Sequence, residues 1–361
     1  MVEQRKVFFL IPYPLSEAPS QRFRFEQYFH VLDNAGLNYS TQSFFSKENW
    51  RSFYNSGKVI QKTTALLLGF AKRIGVLSKI IKYDFIFIHR EAAPIGPPVF
   101  EWIIAKVLRK KIIYDFDDAI WLTDRKEESI LLRTVKWRSK VASVCSWSYK
   151  VSCGNEYLCT YAWQFNHQVV YNPTTIDTGQ LRSSELHTTR DDNRIIIGWT
   201  GSHSTLKYLN ALEPVLQHLE NKFPLVDFIV IADKPPELKL RRLYFKPWSL
   251  ETEIADLAQF DIGVMPLPDD EWARGKCGFK ALQYMALGIA TVASPVGVNT
   301  QIIQDGNNGY LCNSNEQWLQ RLTLLINNEE LRKRLSQEGK ATVKKNYSVS
   351  SNTLNFLSLF S

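Results

Sequence analysis

Residues 261–299, DIGVMPLPDDEWARGKCGFKALQYMALGIATVASPVGVN, constrain this chain more than any other stretch. The run at 261–265 is short and apolar, and Pro266 and Pro268 stop it as a turn stops a buried strand. Phe279, Leu282, Met285, Ala286 and Leu287 then recur at helical spacing, with Gly288 where a helix C-cap glycine belongs. Residues 290–293 resume an apolar strand. The turn ahead of the helix holds Arg274, Gly275, Lys276, Cys277, Gly278 and Lys280. Free N–H groups at a helix start, and the positive end of its dipole, favour an anion. Cations and glycines in that turn let a diphosphate approach closely, so the stretch predicts a nucleotide-diphosphate cradle.

Strand and helix patterns alternate along the whole chain, which predicts an α/β fold of parallel sheets built from βαβ units. In the first half, residues 6–11, 37–44, 84–89, 111–115 and 149–152 read as strands. Residues 21–34, 98–109 and 127–147 read as helices, and 47–82 as largely helical. The second half restarts with strands at 194–199 and 226–232 and helices at 205–221 and 250–259. Two closing helices start at Asn315 and Glu329 and end near Lys345. The polar stretch 172–193, with Pro173 and Gly179, is the expected interdomain linker. At 361 residues, two domains with separate cores are expected. They are placed at 1–180 and 181–345, with a tail at 346–361.

Several classes are disfavoured at once. The odd set of five cysteines contains no C-x-x-C, and the six histidines show no metal-ligand pairing, so no metal ligands are assigned. The apolar run at 7–11 is cut by Pro12, too short for a signal-peptide core, and no segment approaches a spanning helix. A cytoplasmic protein is expected. Charge is uneven. The first 180 residues carry 24 Lys and Arg against 16 Asp and Glu, whereas the rest carry 20 of each. Residues 47–82 hold Lys47, Arg51, Lys58, Lys62, Lys72, Arg73, Lys79 and Lys82 against Glu48, interleaved with apolar and aromatic side chains. That pattern suits the face of an anionic membrane, and equally a core-facing helix with solvated lysines. No helix-turn-helix, RRM or zinc-finger pattern accompanies it, so nucleic acid is not an expected partner.

The opening stretch resembles the donor-binding core of GT-B glycosyltransferases, especially family 4 (group 1), whose pattern is E-G-F-G-x-P-x-L-E-A-M-A-x-G-x-P-V-V-A-S. Gly278, Leu282, Met285, Ala286 and Gly288 match in register. The first family glutamate falls on Gly275 and the second on Gln283, and lysines stand at 276 and 280. The chain looks like a bacterial subgroup with a G-K-C-x-F-K-x-x-Q-Y-M-A variant. The resemblance implies two Rossmann-like domains facing across a cleft, the first binding acceptor and the second a nucleotide-diphosphate sugar. It also implies a tail crossing back to the first domain. Arg274, Lys276, Gly278, Lys280 and Gln283 are the expected donor contacts.

Other clusters fit that frame. Residues 198–205, GWTGSHST, form a strand, a glycine turn and a helix start, where amides of Gly201 and Ser202 and the Ser202 hydroxyl would hold phosphate. Family members place an Arg and a Lys in this loop. Here Trp199 takes the Arg place, and the cations have moved to Lys276 and Lys280. Residues 245–248, FKPW, resemble the segment walling the base, with Trp248 as a flat face. Asp115, Asp117 and Asp118 crowd at a strand end, where they would bind sugar hydroxyls, act as base on an acceptor or hold a divalent ion, or where Asp117 or Asp118 would simply cap a turn at Ala119. His89 ends another strand, near where related enzymes place a cleft histidine. Arg22 and Arg24 lie in the first strand-to-helix loop, which the resemblance turns toward the cleft, where they would bind the acceptor or a diphosphate, or would be solvated at a helix start.

These features predict a glycosyltransferase of hexosyltransferase type, retaining and metal-independent. It would use no cofactor beyond its nucleotide-sugar co-substrate and act on a glycan or lipid-linked acceptor in surface polysaccharide or glycoconjugate assembly, with a peripheral place at the inner face of the membrane. The alternatives are a nucleotide-sugar epimerase or phosphorylase on the same fold, or a non-catalytic sugar-binding relative.

Overall fold

Two all-parallel sheets, each of six strands, organise the chain. The computed structural model describes residues 5–53, 59–123, 134–179, 181 and 193–361. Tyr54 and Lys58 of the basic segment, the opening of the helix expected at 127–147, and residues 182–192 of the linker lie outside the described residues. Two units are separable: Met1–Thr174 with Asn352–Ser361, and Thr175–Ser351.

The first unit contains β1 Lys6–Ile11, β2 Asn38–Ser43, β3 Phe85–His89, β4 Lys111–Phe116, β5 Lys150–Cys153 and β6 Val169–Tyr171, in the order β2-β1-β3-β4-β5-β6. Both sheet faces are covered, so β1 and β3 are apolar throughout, VFFLI and FIFI. On one face Phe9 stacks with Phe25 at 5.3 Å and lies 4.9 Å from Phe87. The chain end completes this layer. Tyr28 stacks on Phe356 at 4.2 Å, and Lys150 Nζ donates to Ser358 O at 2.5 Å. Each such buried ring contributes about 1.5–3 kcal/mol by transfer alone.

Residues 47–82 form helices Lys47–Phe53 and Val59–Lys79 and a 3-10 turn Ile80–Lys82. The long helix meets its own unit through Ala65, Gly69, Arg73 and Val76, one stripe at helical spacing. Arg73 is therefore not a surface cation. It is fully buried, and donates to Ile11 O at 2.6 Å, Ala92 O at 2.7 Å and Gln42 O at 3.1 Å, tying the ends of β1 and β2 to the loop after β3. Burial lowers its pKa to about 9.

The second unit contains β7 Ile195–Thr200, β8 Val226–Ala232, β9 Leu243–Pro247, β10 Ile262–Met265, β11 Ala290–Ala293 and β12 Tyr310–Leu311, ordered β12-β11-β10-β7-β8-β9. Alternation along β7 and β8 separates two cores. Ile197, Trp199, Phe228 and Val230 pack on one face, and Ile196, Ile229 and Ile231 on the other. Strands β6, β9 and β12 and the helix Glu156–Trp163 were not expected from sequence. β9 is an edge strand, the place in a sheet that tolerates its Pro247. The single helix expected at 205–221 is two, Leu206–Asn210 and Glu213–Lys222, because Pro214 starts a new first turn.

In both sheets strand order reverses once, between β1 and β3 and between β7 and β10. Open α/β sheets bind ligands at the carboxyl ends of the strands flanking such a reversal. Those ends carry Tyr13 and His89 in the first unit, and Gly201 and the 274–280 turn in the second.

Candidate functional site

In the second unit the helix Phe279–Leu287 begins at Gly278, in the left-handed conformation (φ +68°) with no room for a side chain: a Cβ would stand 2.3 Å from Ile302 Cδ1. Gly288 closes the helix at φ +74°. Lys280, in the first turn, places Nζ 5.0 Å from the centroid of the buried Trp199 ring at the end of β7. Lys276 Nζ lies 5.4 Å from the Trp272 ring. Both lysines are half-buried. Arg274, by contrast, is exposed and paired with Asp269 at 2.8 Å.

The glycine turn after β7 differs from expectation. Gly201 N–H donates to Ile231 O at 3.0 Å, so this amide is occupied within the sheet and does not present a donor to phosphate. Glycine is needed there for space, since a Cβ would lie 2.5 Å from the Trp199 ring. Ser202 Oγ lies 2.8 Å from Ser204 Oγ. Beside them His203 Nδ1 is 2.5 Å from Asp233 Oδ2.

Trp248 is anchored rather than free-standing. Its ring packs against the core of Ile196, Ile231 and Tyr284, and Nε1 donates to Glu253 Oε1 at 3.1 Å. Gln283 Nε2 donates to the same oxygen at 3.4 Å. Glu253 and Gln283 are both buried. The structure thus brings together two expected residues, Trp248 and Gln283, through a carboxylate that sequence reasoning missed. Glu253 lies five residues beyond Trp248, in a polar stretch without a motif.

In the first unit the aspartates are each paired with a cation. Asp115, at the end of β4, is fully buried and accepts from His89 Nδ1 at 2.8 Å, Ser152 Oγ at 2.6 Å and the Arg24 guanidinium. Burial alone would raise its pKa, but Arg24 and His89 hold it well below the ordinary carboxylate value. Arg24 also donates to the Asn172 carbonyl and to Ser152 Oγ. With Nε, Nη1 and Nη2 engaged by Asp115, Asn172 and Ser152, Arg24 stands in a core ion pair and not in the acceptor-binding place expected of it. Arg22 is half-buried with its guanidinium over the Phe23 ring at 4.9 Å.

Asp117 and Asp118 share one partner. Arg90 reaches Asp117 Oδ1 at 2.7 Å and Asp118 Oδ2 at 2.6 Å. Burial opposes, yet Arg90 draws the Asp117 pKa down and the two aspartates push that of Arg90 up. Arg90 adopts φ +59°, held by its carbonyl, which accepts from Tyr114 Oη at 2.7 Å, and by its N–H, which donates to Asp115 O at 2.7 Å. His89 itself is fully buried, and its Nε2 has no hydrogen-bond partner among the described residues. Among these residues no group of three or more His, Cys, Asp or Glu is placed to hold a metal ion.

Residues 257–342 match the family model described as glycosyl transferases group 1. No curated protein matches the chain by sequence. Solved structures match over its whole length. A glycosyltransferase from Rickettsia africae gives a TM-score of 0.69 at 14% identity, covering 99% of this chain and 98% of that one. Sucrose-phosphate synthase from Thermosynechococcus elongatus gives 0.67 at 11%, covering 99% and 98%. Anabaena HepE, solved in complex with UDP and glucose, gives 0.64 at 14%, covering 99% of each chain. At these identities the likeness shows the fold, that of GT-B glycosyltransferases.

Proposed function

We propose that the protein is a glycosyltransferase that moves a hexose from a nucleotide-diphosphate sugar to a glycan or lipid-linked acceptor. The observation that carries this reading is the group 1 glycosyl transferase match over residues 257–342, which falls on the turn where Lys276 and Lys280 gather. HepE was solved with UDP and glucose, which supports a donor of that class.

In this reading the second unit holds the donor. Lys276 and Lys280 neutralise charge building on the leaving diphosphate, and Ser202 adds a hydroxyl. Trp248 walls the base, and Gln283 with Glu253 lies beside it. The carboxylates replaced at Gly275 and Gln283 favour the non-catalytic alternative, but Glu253 supplies a buried carboxylate within reach of Gln283 and restores acidic character there. The first unit receives the acceptor. His89 Nε2, Asp117 and Asp118 would meet its hydroxyls, while Asp115 fixes His89. Retention of anomeric configuration and independence of a metal follow from the family resemblance. Surface polysaccharide or glycoconjugate assembly, at the inner face of a membrane, is the setting that suits a lipid-linked acceptor.

A thermal-shift panel of UDP-, GDP- and ADP-sugars tests the donor site, because a ligand bound only by the native state raises the midpoint. Radiolabelled donor with and without oligosaccharide and lipid-linked acceptors then tests transfer, with and without a chelator. Sugar moving only when acceptor is present supports the proposal. Conversion of donor without acceptor favours an epimerase, and loss of activity on chelation contradicts the metal-free reading.

A further inference from the structure

Along the carboxyl ends of the second sheet, strand order sets the loops after β9, β8, β7 and β10 side by side. Trp248 follows β9, Asp233 follows β8, His203 lies in the loop after β7, and the 274–280 turn follows β10. Trp248 N–H donates to Ala232 O at 2.9 Å, which fixes its backbone beside Asp233. On the other side the glycine loop and Lys280 meet at one ring. A Cβ on Gly201 would press on the Trp199 indole, and Lys280 Nζ stands 5.0 Å from the centroid of that indole. Neighbouring strands stand about 4.8 Å apart, so the row from the Trp248 strand to the lysine-bearing turn spans about 14 Å. His203 and Asp233 lie between the two ends of that row, on the stretch that the phosphates of an extended nucleoside diphosphate would cross.

Asp233 grips His203 twice. Oδ1 accepts from the His203 backbone N–H and Oδ2 from Nδ1, each at 2.5 Å. The ionised carboxylate can only accept, so Nδ1 is the protonated nitrogen and Nε2 lies across the ring from it. With 43% of the side chain exposed, the ring is open to a ligand. A neutral ring presents a lone pair at Nε2, which a phosphate oxygen repels. A ring that takes up a proton presents an N–H and a positive charge, the stronger kind of contact to phosphate. Asp233, already at Nδ1, balances that charge. The other charged side chains on the surrounding segments are Lys234, Glu237 and Glu251, all exposed, Lys207, turned over the Tyr208 ring at 5.1 Å, and Lys280 over Trp199.

We propose that His203, positioned by Asp233, is a proton-linked phosphate contact of the donor site. As a nucleoside diphosphate binds, Nε2 takes a proton from solvent and donates it in a hydrogen bond to a phosphate oxygen, and it returns the proton when the nucleotide leaves. This deepens the donor-site reading and rests on it. The test is calorimetric titration of the full chain with UDP, GDP and ADP and with the matching nucleosides, at one pH in two buffers of different ionisation enthalpy. For the diphosphate that wild type binds, the heat should differ between the buffers in the sense of proton uptake. His203→Ala should weaken that diphosphate about tenfold and leave its nucleoside within about twofold. His203→Arg, a permanent cation, should recover the affinity to within about threefold and abolish the uptake. Asp233→Asn keeps one of the two hydrogen bonds but not the charge, and should lower affinity and uptake together. Buffer-independent heat in wild type, or wild-type diphosphate affinity in His203→Ala, overturns the proposal and leaves the donor site standing. Equal loss of nucleoside and diphosphate overturns it by making His203 a structural residue. No diphosphate bound by wild type fails the donor-site reading itself, and the phosphate contact with it.

Discussion

His89 Nδ1 lies 2.8 Å from Asp115 Oδ2 with both side chains fully buried. The ionised carboxylate can only accept, so the imidazole donates from Nδ1, and in its neutral form keeps a lone pair at Nε2, which is itself buried. A ring oriented through one nitrogen while the other lacks a protein partner is arranged to meet a ligand. We expect His89→Ala to lower turnover about 100-fold, the low end for a positioned acid, base or hydrogen-bonding group. The donor-induced thermal shift should be retained, because His89 belongs to the first unit. Turnover within twofold of wild type would make the bare Nε2 a packing defect and nothing more.

Asp115 gives a stability prediction of its own. Asp115→Asn leaves Arg24 buried without its counter-charge, a loss of about 3–5 kcal/mol. The pH dependence follows from the lowered pKa. The folded value lies below the unfolded 3.8, so the stabilisation is complete above that value and is lost as pH falls through the folded one. Denaturant unfolding should therefore show a deficit for the Asn variant that is constant near neutrality and narrows below pH ~4. A deficit that stays the same into acid would mean that the carboxylate is not the group that matters.

Asp117 and Asp118 divide the acidic cluster differently. Arg90 neutralises both, and Asp117 is the more enclosed of the two, at 13% side-chain exposure against 22%. Asp117→Asn should abolish transfer yet leave nucleotide binding nearly intact. Parallel loss of both would remove the residue from the acceptor side. Full activity would reduce it to an anchor for Arg90.

How much of this could be read in advance depended on range. Strands β1, β8 and β11 stand where their apolar runs end, because Pro12, the glycine turns and polar flanks punctuate them. The missed edge strands β6 and β12 are short, and the missed β9 is interrupted by Lys246 and Pro247, so none carried a period-two signal long enough to register. The 274–280 turn was legible because its residues are contiguous. Arg24 was misplaced because its partners Asp115, Ser152 and Asn172 are 91 or more residues away, and only the sheet order brings them together. Glu253 was overlooked because, though only five residues from Trp248, it stands in a polar stretch without a motif, and the burial of Arg73 because its partners Ala92, Gln42 and Ile11 come from three different strand-to-helix connections or strands.

Gly278 offers a local test of the cradle. Alanine at φ +68° adopts a backbone that L side chains avoid, and its Cβ would press on Ile302. Gly278→Ala should cost about 1–3 kcal/mol of unfolding free energy and weaken donor binding as the helix start shifts. Unchanged stability would mean that the turn relaxes freely and does not set the position of Lys280.

Lys276 and Lys280 decide the donor assignment. Each has its ammonium near an indole ring, at 5.4 Å and 5.0 Å, so each is positioned by a flat aromatic face. Losing one charge-assisted contact to a diphosphate costs about 1.5–3 kcal/mol, so Lys276→Ala and Lys280→Ala should each weaken donor binding about 10- to 150-fold. Lys280 should matter more, because it sits in the first turn of the helix, where its charge adds to the dipole. Part of the binding loss should reappear in turnover if the lysines meet charge that grows on the leaving group, and calorimetric titration with steady-state rates separates the two. Arg274→Ala serves as the contrast: exposed and already paired with Asp269, it should change donor affinity less than either lysine does. Equal, wild-type affinity in both lysine variants with the fold intact would move the diphosphate elsewhere.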